Sequence, residues 1–600
     1  MLLKNSAPLA ATLIVLALRA PASAQTVADP PRLSEDIVVT ATIVPISGGS
    51  LSRSTTVFRR DQMEQLGLMS TGDALRLMPG VDARARGPLG VQTDFSIRGA
   101  TFGQNLVLVD GMRINDTQSA HHNGEIPLPA TAIDRIELIA GPGAAVHGAD
   151  ALGGTINVIS RKGRYSAASL STGQHGYTDA QGTVSGGPLP GGVMLSGWGS
   201  RSSGFEFDRD FAQGGAALRA SAPRGWTLDV RHQRRAFGAN GFYGNSPSKE
   251  WTDQTLAGAG WRAVRGAWTT TVDTLVRNHG DHFRWDINRP GFAENRHRTN
   301  AVDARVTTGR AINSRGSITA GLATGGDWIT SSNLGDHRYT REAAFAELQY
   351  RVHDRTTVVA GLRFDRYSTF GQSTSPSLSV ASRLSPTVRL RASTGHAFRI
   401  PSFTELYYSD PNNLGTPDLR AERGWSVDGG GDWTPGRWTA SLSVFRRWDT
   451  DVIDWVRASA ADRYRSNNVR DVTTTGFEAV LARQWGSTLL RLMYAGLTID
   501  APTLTLQSKY LLEYARHQSG GSLVVPLGGG LRAAINVDHR HRLDGQSYDL
   551  VGARVSRAFG RTNVFVDGTN LLAEKYHEVL GVTMPGRWLT VGVRINGGGS

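Results

Sequence analysis

Downstream of residue 164 the chain alternates apolar and polar positions in short runs. Val358, Ala360, Leu362 and Phe364 are interleaved with Gly361, Arg363 and Asp365, and Leu531, Ala533, Ile535 and Val537 with Arg532, Asn536 and Asp538. Leu589, Val591, Val593 and Ile595 are interleaved with Thr590, Gly592 and Arg594 in the same way. A period of two puts one set on each face of a β-strand. In water such strands make a sandwich; in an outer membrane they turn the apolar set to lipid and the polar set to a lumen. The connections decide between the two. Ten are short: 188–191, 222–225, 264–266, 313–316, 353–355, 385–387, 434–436, 485–487, 528–530 and 559–561. Those of opposite phase are long and rich in glycine, aromatic and charged residues, as at 238–252, 279–298, 400–422 and 456–474. One end of turns and one end of loops is the asymmetry of an outer-membrane barrel. Ten turns separate eleven hairpins, hence a 22-stranded antiparallel barrel over residues 163–600, with about 20 residues for each strand and its connection. Spanning takes ~9–11 of these.

Residues 51–162 read differently. Helical runs at 61–66 and 71–78, the second with Ser70 or Thr71 as N-cap and Pro79-Gly80 as its stop, precede β-like runs at 95–99, 105–114, 133–141 and 153–160. A barrel of this strand number encloses a lumen wide enough to need filling. The α+β unit in front is the expected plug, and the fold class is an all-β membrane protein with a plug in the lumen.

Composition narrows the function classes. The chain has 600 residues, 71 glycines, no cysteine and a net charge of +13. The absence of cysteine removes disulfides, Cys-ligated zinc and iron–sulfur clusters. Only five of the 65 basic residues are lysine (Lys4, Lys162, Lys249, Lys509, Lys575), and the arginines are spread along the whole chain rather than gathered on one element, so no nucleic-acid partner is expected. Lys4, an apolar stretch from Ala7 to Leu18 and Ala22-Ser23-Ala24 have the layout of a secretory signal peptide over residues 1–24. Residues 25–50 then form a polar, proline-containing periplasmic tail. No nucleophile elbow, phosphate loop or HExxH motif is present, so no enzymatic activity is expected.

Within that tail, Glu35, Asp36, Ile37, Val38, Val39, Thr40 and Ala41 resemble the energy-coupling box of TonB-dependent outer-membrane receptors. The plug runs LRLMPGVD (75–82), SIRGA (96–100), LVLVDGMRIN (106–115) and IDRIELIAGPGAAVHGADALGGTINVIS (133–160) resemble the plug of that family in order and spacing. FRIPSFTELYY (398–408), TTGFEAV (474–480) and DGTNLLAEKYHEVLGVTMPGRWLTVGVRI (567–595) extend the resemblance through the barrel. Within the family the compact barrel is most like the cobalamin receptor group, with ferric-siderophore or other metal-chelate receptors as the alternative and a passive porin further off. The resemblance implies a monomer in the Gram-negative outer membrane, among lipid and lipopolysaccharide. Its partner is TonB with the inner-membrane motor, which would pull on residues 35–41 by strand addition.

The resemblance also assigns residues. Asn115, Asp116, Gln118, His121, His122 and Asn123 lie in the plug stretch expected to meet the ligand. Arg98 and Arg135 of the plug, with Glu422 and Glu478 of the barrel, are the expected plug–barrel contacts. Ala140-Gly141-Pro142 stands where the family commonly has Arg-Gly-Pro, which implies a weaker ionic lock, and Ile595 is followed by Asn-Gly-Gly-Gly-Ser where the family has a terminal aromatic. No cofactor and no dedicated metal site are expected. Glu206, Asp208 and Asp210 are the weak candidates for loop-bound calcium. His539 and His541 share a strand face, read as lumenal or interfacial, while His279 and His282 fall in the expected loop 279–298.

Overall fold

Strand alternation closes into a cylinder. The computed structural model describes residues 52–597, apart from 188, 190, 245, 502–504 and 511–512, together with the backbone of 38–39 and 46–47. Twenty-two long strands run from Tyr165–Gly173 to Trp588–Gly597, each antiparallel to its neighbours, and the first closes on the last through pairs such as Leu170 with Val593. All ten turns expected from the sequence fall between strands, at one rim. The faces follow the pattern: Leu362 and Phe364 are exposed to the outside, whereas Arg363 and Asp365 are buried in the lumen. Beside the turns stand Trp226, Trp268, Trp433, Trp485 and Phe559, all exposed, as an aromatic girdle at the membrane boundary.

Two of the expected loops are shorter than the sequence suggested. Strands Trp268–Arg284 and Glu294–Asn313 leave only 285–293 between them, and Trp438–Arg457 and Tyr464–Trp485 leave only 458–463. Their charged, aromatic upper parts stay paired as hairpins beyond the membrane. His279 and His282 are therefore strand residues, one facing the lumen and the other stacked on Trp251 outside. His539 and His541 take the outer face too, because Asp538, Arg540 and Arg542 occupy the lumenal phase of Leu531–Arg542.

The plug fills the lumen. Its sheet runs in the order Thr55–Arg59, Ile133–Ala140, Gly154–Ser160, Asn105–Val109, Met112–Arg113, and a hairpin, Val81–Ala85 with Thr93–Ile97, lies beside it. The expected run 105–114 is broken because Asp110 and Gly111, at φ 51° and 83°, make a turn. Helices Arg60–Leu66 and Thr71–Arg76 form as expected. The second is capped by Ser70, whose Oγ accepts from Asp73 N (3.1 Å), and it ends before Leu77 because Pro79 can donate no hydrogen bond and restricts Met78. Phe58, Leu75, Met78, Ile97, Val107, Ile136 and Ile156 form its core.

Candidate ligand-binding site at the plug apex

Period two turns Leu275, Arg277, His279 and Asp281 of Trp268–Arg284 inward. The even positions Glu250, Thr252, Gln254 and Leu256 of Lys249–Arg265 take the same face. Antiparallel register sets Gln254, His279 and Thr299 side by side in one row and Thr252, Asp281 and His297 in the next. This polar panel of wall receives plug residues 115–125.

The plug segment folds down onto the panel. Asp116 Oδ2 accepts from Arg277 Nη2 (2.6 Å) and Thr299 Oγ1 (3.1 Å) and lies 2.9 Å from His279 Nδ1. Burial pushes the Asp116 carboxyl upward, but the fields of Arg277 and His279 outweigh it and hold the group well below the ordinary carboxylate range. Gln118 Nε2 donates to Asp281 Oδ2 (2.6 Å). Asn123 Oδ1 accepts from Asp116 N (2.9 Å), and Asn115 bridges Val107 N and Asn105 O within the plug. His122 Nδ1 lies 3.2 Å from Glu125 Oε1. Gly124 is required here, since a Cβ would stand 2.4 Å from Thr93 O.

Of the six residues expected to meet the ligand, Asn115, Asp116, Gln118, His122 and Asn123 are thus buried and bonded to plug or wall. His121 alone keeps an accessible edge, its side chain 14% exposed. Its ring stacks on Phe102 at 4.5 Å and meets the edges of Tyr243 and Tyr510 at 6.5 and 6.4 Å. Burial pulls the His121 imidazole below its ordinary pKa, against the pull of Asp94, 2.9 Å from Nδ1. Phe102, Tyr243 and Tyr510 were not singled out from the sequence. Tyr243 could have been found as an aromatic residue in the long loop 238–252, whereas nothing local marks Phe102.

Two arginines beside this aromatic surface are paired with acids. Arg86 Nη1 meets Asp94 at 2.7 Å and Arg84 Nη1 meets Glu513 at 3.2 Å. Lys509 Nζ lies over the Trp455, Tyr464 and Tyr510 rings and donates to Asn413 Oδ1 (3.1 Å). Loops close over the apex from several sides: Phe403 N and Thr404 N donate to Thr117 O and Gln118 O, and Gln92 Nε2 donates to Tyr243 Oη (2.6 Å).

Below the apex the plug is held to the wall by buried ion pairs. Arg98 bridges Asp428 and Glu478, both at 2.7 Å, and Gly80 beside it has no room for a Cβ, which would stand 2.2 Å from Glu478 Oε1. Asp82 pairs with Arg540 (3.0 Å) and Arg542 (3.2 Å), and Asp110 with Arg219 (2.6 Å) and Arg231 (2.5 Å). Arg76 grips Glu578 of the loop that dips in from 570–587.

Two expectations about this lock change. The contacts described for Arg135 run to Asp134 and Glu137 of the plug itself, because its strand lies inside the plug sheet. Glu422 pairs with Arg399 of the neighbouring strand and takes only a hydrogen bond from plug Gln104 (3.0 Å). Beside the alanine at 140, Arg53 enters and donates to Pro142 O, a contact within the plug.

Glu206, Asp208 and Asp210 do not converge on one point. Asp210 pairs with Lys249 (3.0 Å), and Asp208, at φ 52°, is pushed up to about 6 by burial and by Asp210. Most of Glu35–Ala41 lies outside the described residues; the Val38–Val39 backbone pairs antiparallel with Ile46–Ser47. Residues 1–24 also lie outside them.

Comparison with known proteins agrees with this architecture. Residues 155–579 match the family model for a TonB dependent receptor-like β-barrel, and residues 49–155 match the TonB-dependent receptor plug domain. The vitamin B12 transporter BtuB of Vibrio vulnificus is 25% identical over 481 residues, covering 74% of this chain and 75% of that protein. The iron-regulated outer membrane virulence protein of Vibrio cholerae is 25% identical over 510 residues, 76% of each. The siderophore receptor PirA from Acinetobacter baumannii shares the fold with a TM-score of 0.75 at 17% identity, over 91% of this chain and 98% of that one. A closed barrel of twenty-two strands, the plug inside it and both family matches lead to one assignment: the chain belongs to the TonB-dependent receptors of the Gram-negative outer membrane.

Proposed function

We propose that this receptor imports a corrinoid, binding it on the aromatic apex around His121 and releasing it when TonB pulls on residues 35–41. The observation that carries the ligand class is the pairing of the apex arginines with acids beside an aromatic surface. Arg84 and Arg86 are each neutralised by an acid, which leaves the aromatic faces of Phe102, Tyr243 and Tyr510 around His121. A bulky, amide-rich, uncharged ligand matches such a surface, whereas a ferric catecholate or hydroxamate carrying net negative charge calls for unpaired cations. Relatives named as vitamin B12 transporters support the same reading. Lys509, which among the described residues has no acid partner, favours a second reading in which an anionic metal chelate binds.

Calorimetry on the detergent-solubilised receptor tests this with cyanocobalamin against several ferric siderophores. Tight cyanocobalamin binding is expected, weakening about tenfold (~1.4 kcal/mol) on His121→Ala. Binding of a siderophore with no response to cyanocobalamin overturns the ligand class.

Coupling has its own test. The plug closes the lumen, so diffusion carries no large ligand through and energy must come from a partner. Val38→Pro removes a backbone donor from the segment that TonB would add to as a strand. Uptake into cells is expected to vanish while ligand binding is retained, and unchanged uptake refutes the coupling role of 35–41.

A further inference from the structure

We propose that His122, Glu125 and His279 bind a divalent transition-metal ion of the zinc class, which staples the plug apex to the barrel wall. The three residues come from two structural units, the first two from the plug loop and the third from strand Trp268–Arg284, and all are buried. Each offers one ligand atom, and the three atoms lie within 4.8 Å of one another. The finer geometry fits one ion. His122 Nδ1 is 3.2 Å from Glu125 Oε1, and His279 Nε2 is 3.5 Å from Glu125 Oε2. Two ligands ~2.1 Å from a tetrahedral ion stand ~3.4 Å apart, close to each of these spacings, which run to the two oxygens of the one carboxylate. Taken one atom per residue, the three ligands lie within 4.8 Å of one another.

The outer ring of groups fits as well. His279 turns its other nitrogen, Nδ1, to Asp116 at 2.9 Å, and His122 turns Nε2 to Asp281 at 3.5 Å. A carboxylate stands behind each imidazole, where its charge raises the ring's donor strength, as around a histidine-ligated metal. Those carboxylates are in turn held, Asp116 by Arg277 and Asp281 by Gln118.

Two further observations favour a cation at this point. His279 is fully buried, yet neither of its ring nitrogens makes an aligned hydrogen bond despite carboxylate oxygens at 2.9 and 3.5 Å. Four carboxyl groups meet here, those of Asp116, Glu125, Glu250 and Asp281, and among the described residues Arg277 is the one arginine in ion-pair contact with them. A divalent ion at the centre offsets two of those charges in a site that water does not reach. Two imidazoles with one carboxylate select zinc or a neighbouring transition ion; calcium and magnesium require shells of oxygen.

The test uses the full-length receptor in detergent, stripped with a chelator, dialysed and titrated with Zn2+ alone, with Ca2+ as the control. One zinc per chain and an upward shift of the thermal transition are expected, and Co2+ in its place should give the visible absorption of a histidine-ligated ion. Glu125→Gln keeps the side-chain shape and is expected to weaken zinc at least tenfold. His279→Gln should act likewise, and Asp116→Asn, a positioning change, should cost about 10–100-fold. His539→Ala, on the outer face, should change nothing. If His279→Gln fails to fold, Glu125→Gln decides. The staple is overturned if the stripped receptor takes up no zinc, if Glu125→Gln binds it as tightly as the wild type, or if Ca2+ binds equally well.

Discussion

Arg98 stands in the left-handed backbone region at φ 52°, a conformation that non-glycine residues adopt only when the surroundings over-determine it. Here the over-determination is visible: the guanidinium bridges two buried carboxylates from different barrel strands and lies 4.2 Å from the Phe445 ring. Removing it by Arg98→Ala leaves Glu478 buried without its arginine and Asp428 with only the longer contact to Arg391 (3.5 Å). A loss of about 3–5 kcal/mol is expected, read as a lower thermal transition. Arg98→Lys should recover only part of it, because an ammonium cannot match the planar fork. An unchanged transition in Arg98→Ala would mean that the pair carries no stability.

The strand is the element that decides what each side chain meets. In Thr356–Tyr367 one step along the chain separates exposed Leu362 from buried Arg363, so the same charge is tolerated at one position and costly at the next. Leu362→Arg places that charge on the lipid face, about halfway along the strand. The expected cost is about 2–4 kcal/mol if it sits at the midplane, measured by reversible urea unfolding in vesicles, while Leu362→Ala should cost far less. An arginine there without penalty would show that this face does not contact lipid. The same one-step logic explains why His539 and His541 point outward and why His279 reaches the plug.

At the scale of the molecule, plug and barrel meet through apolar clusters that join plug residues to Leu256, Leu275 and Val524 of the wall, and through buried ion pairs and polar cavities between them. One such cavity, of about 150 Å³, is lined by Asp110, Arg113, Asp273, Asp303, Arg341 and Asp365. Charged contacts can be handed to water when a domain moves, which suits a plug that must shift under load. They also set a pH dependence. Burial pushes the carboxyls of Asp82 and Asp110 upward, but paired arginines hold both below the ordinary range. A depressed native pKa gives stability that is present above the unfolded value, ~3.9, and is lost as pH falls through the native one. Plug docking, followed by limited proteolysis, should therefore hold from neutrality to about pH 4 and fail only below it. Asp110→Asn, which suits its φ of 51°, should remove part of that acid-dependent loss. Release already at pH 6 would place the controlling group elsewhere.

The linear chain determined the barrel, its strand number, its ten turns and the plug in front of it, because period-two alternation and turn chemistry act over a few residues and leave a local trace. It also marked the plug segment that holds His121 and His122, and Arg98 as a plug–barrel contact. It did not determine which way that segment faces. Asn115, Asp116, Gln118, His122 and Asn123 look like a ligand surface in one dimension, and the fold buries them all, with Asp116, Gln118 and His122 against Arg277, His279 and Asp281, more than 150 positions away. The partners of Arg135 and Glu422, the entry of Arg53 beside Pro142 and the apposition of Phe102, Tyr243 and Tyr510 belong to the same class. Each depends on barrel register and on how the plug is seated, quantities fixed by the sum of many contacts and written in no single stretch of sequence.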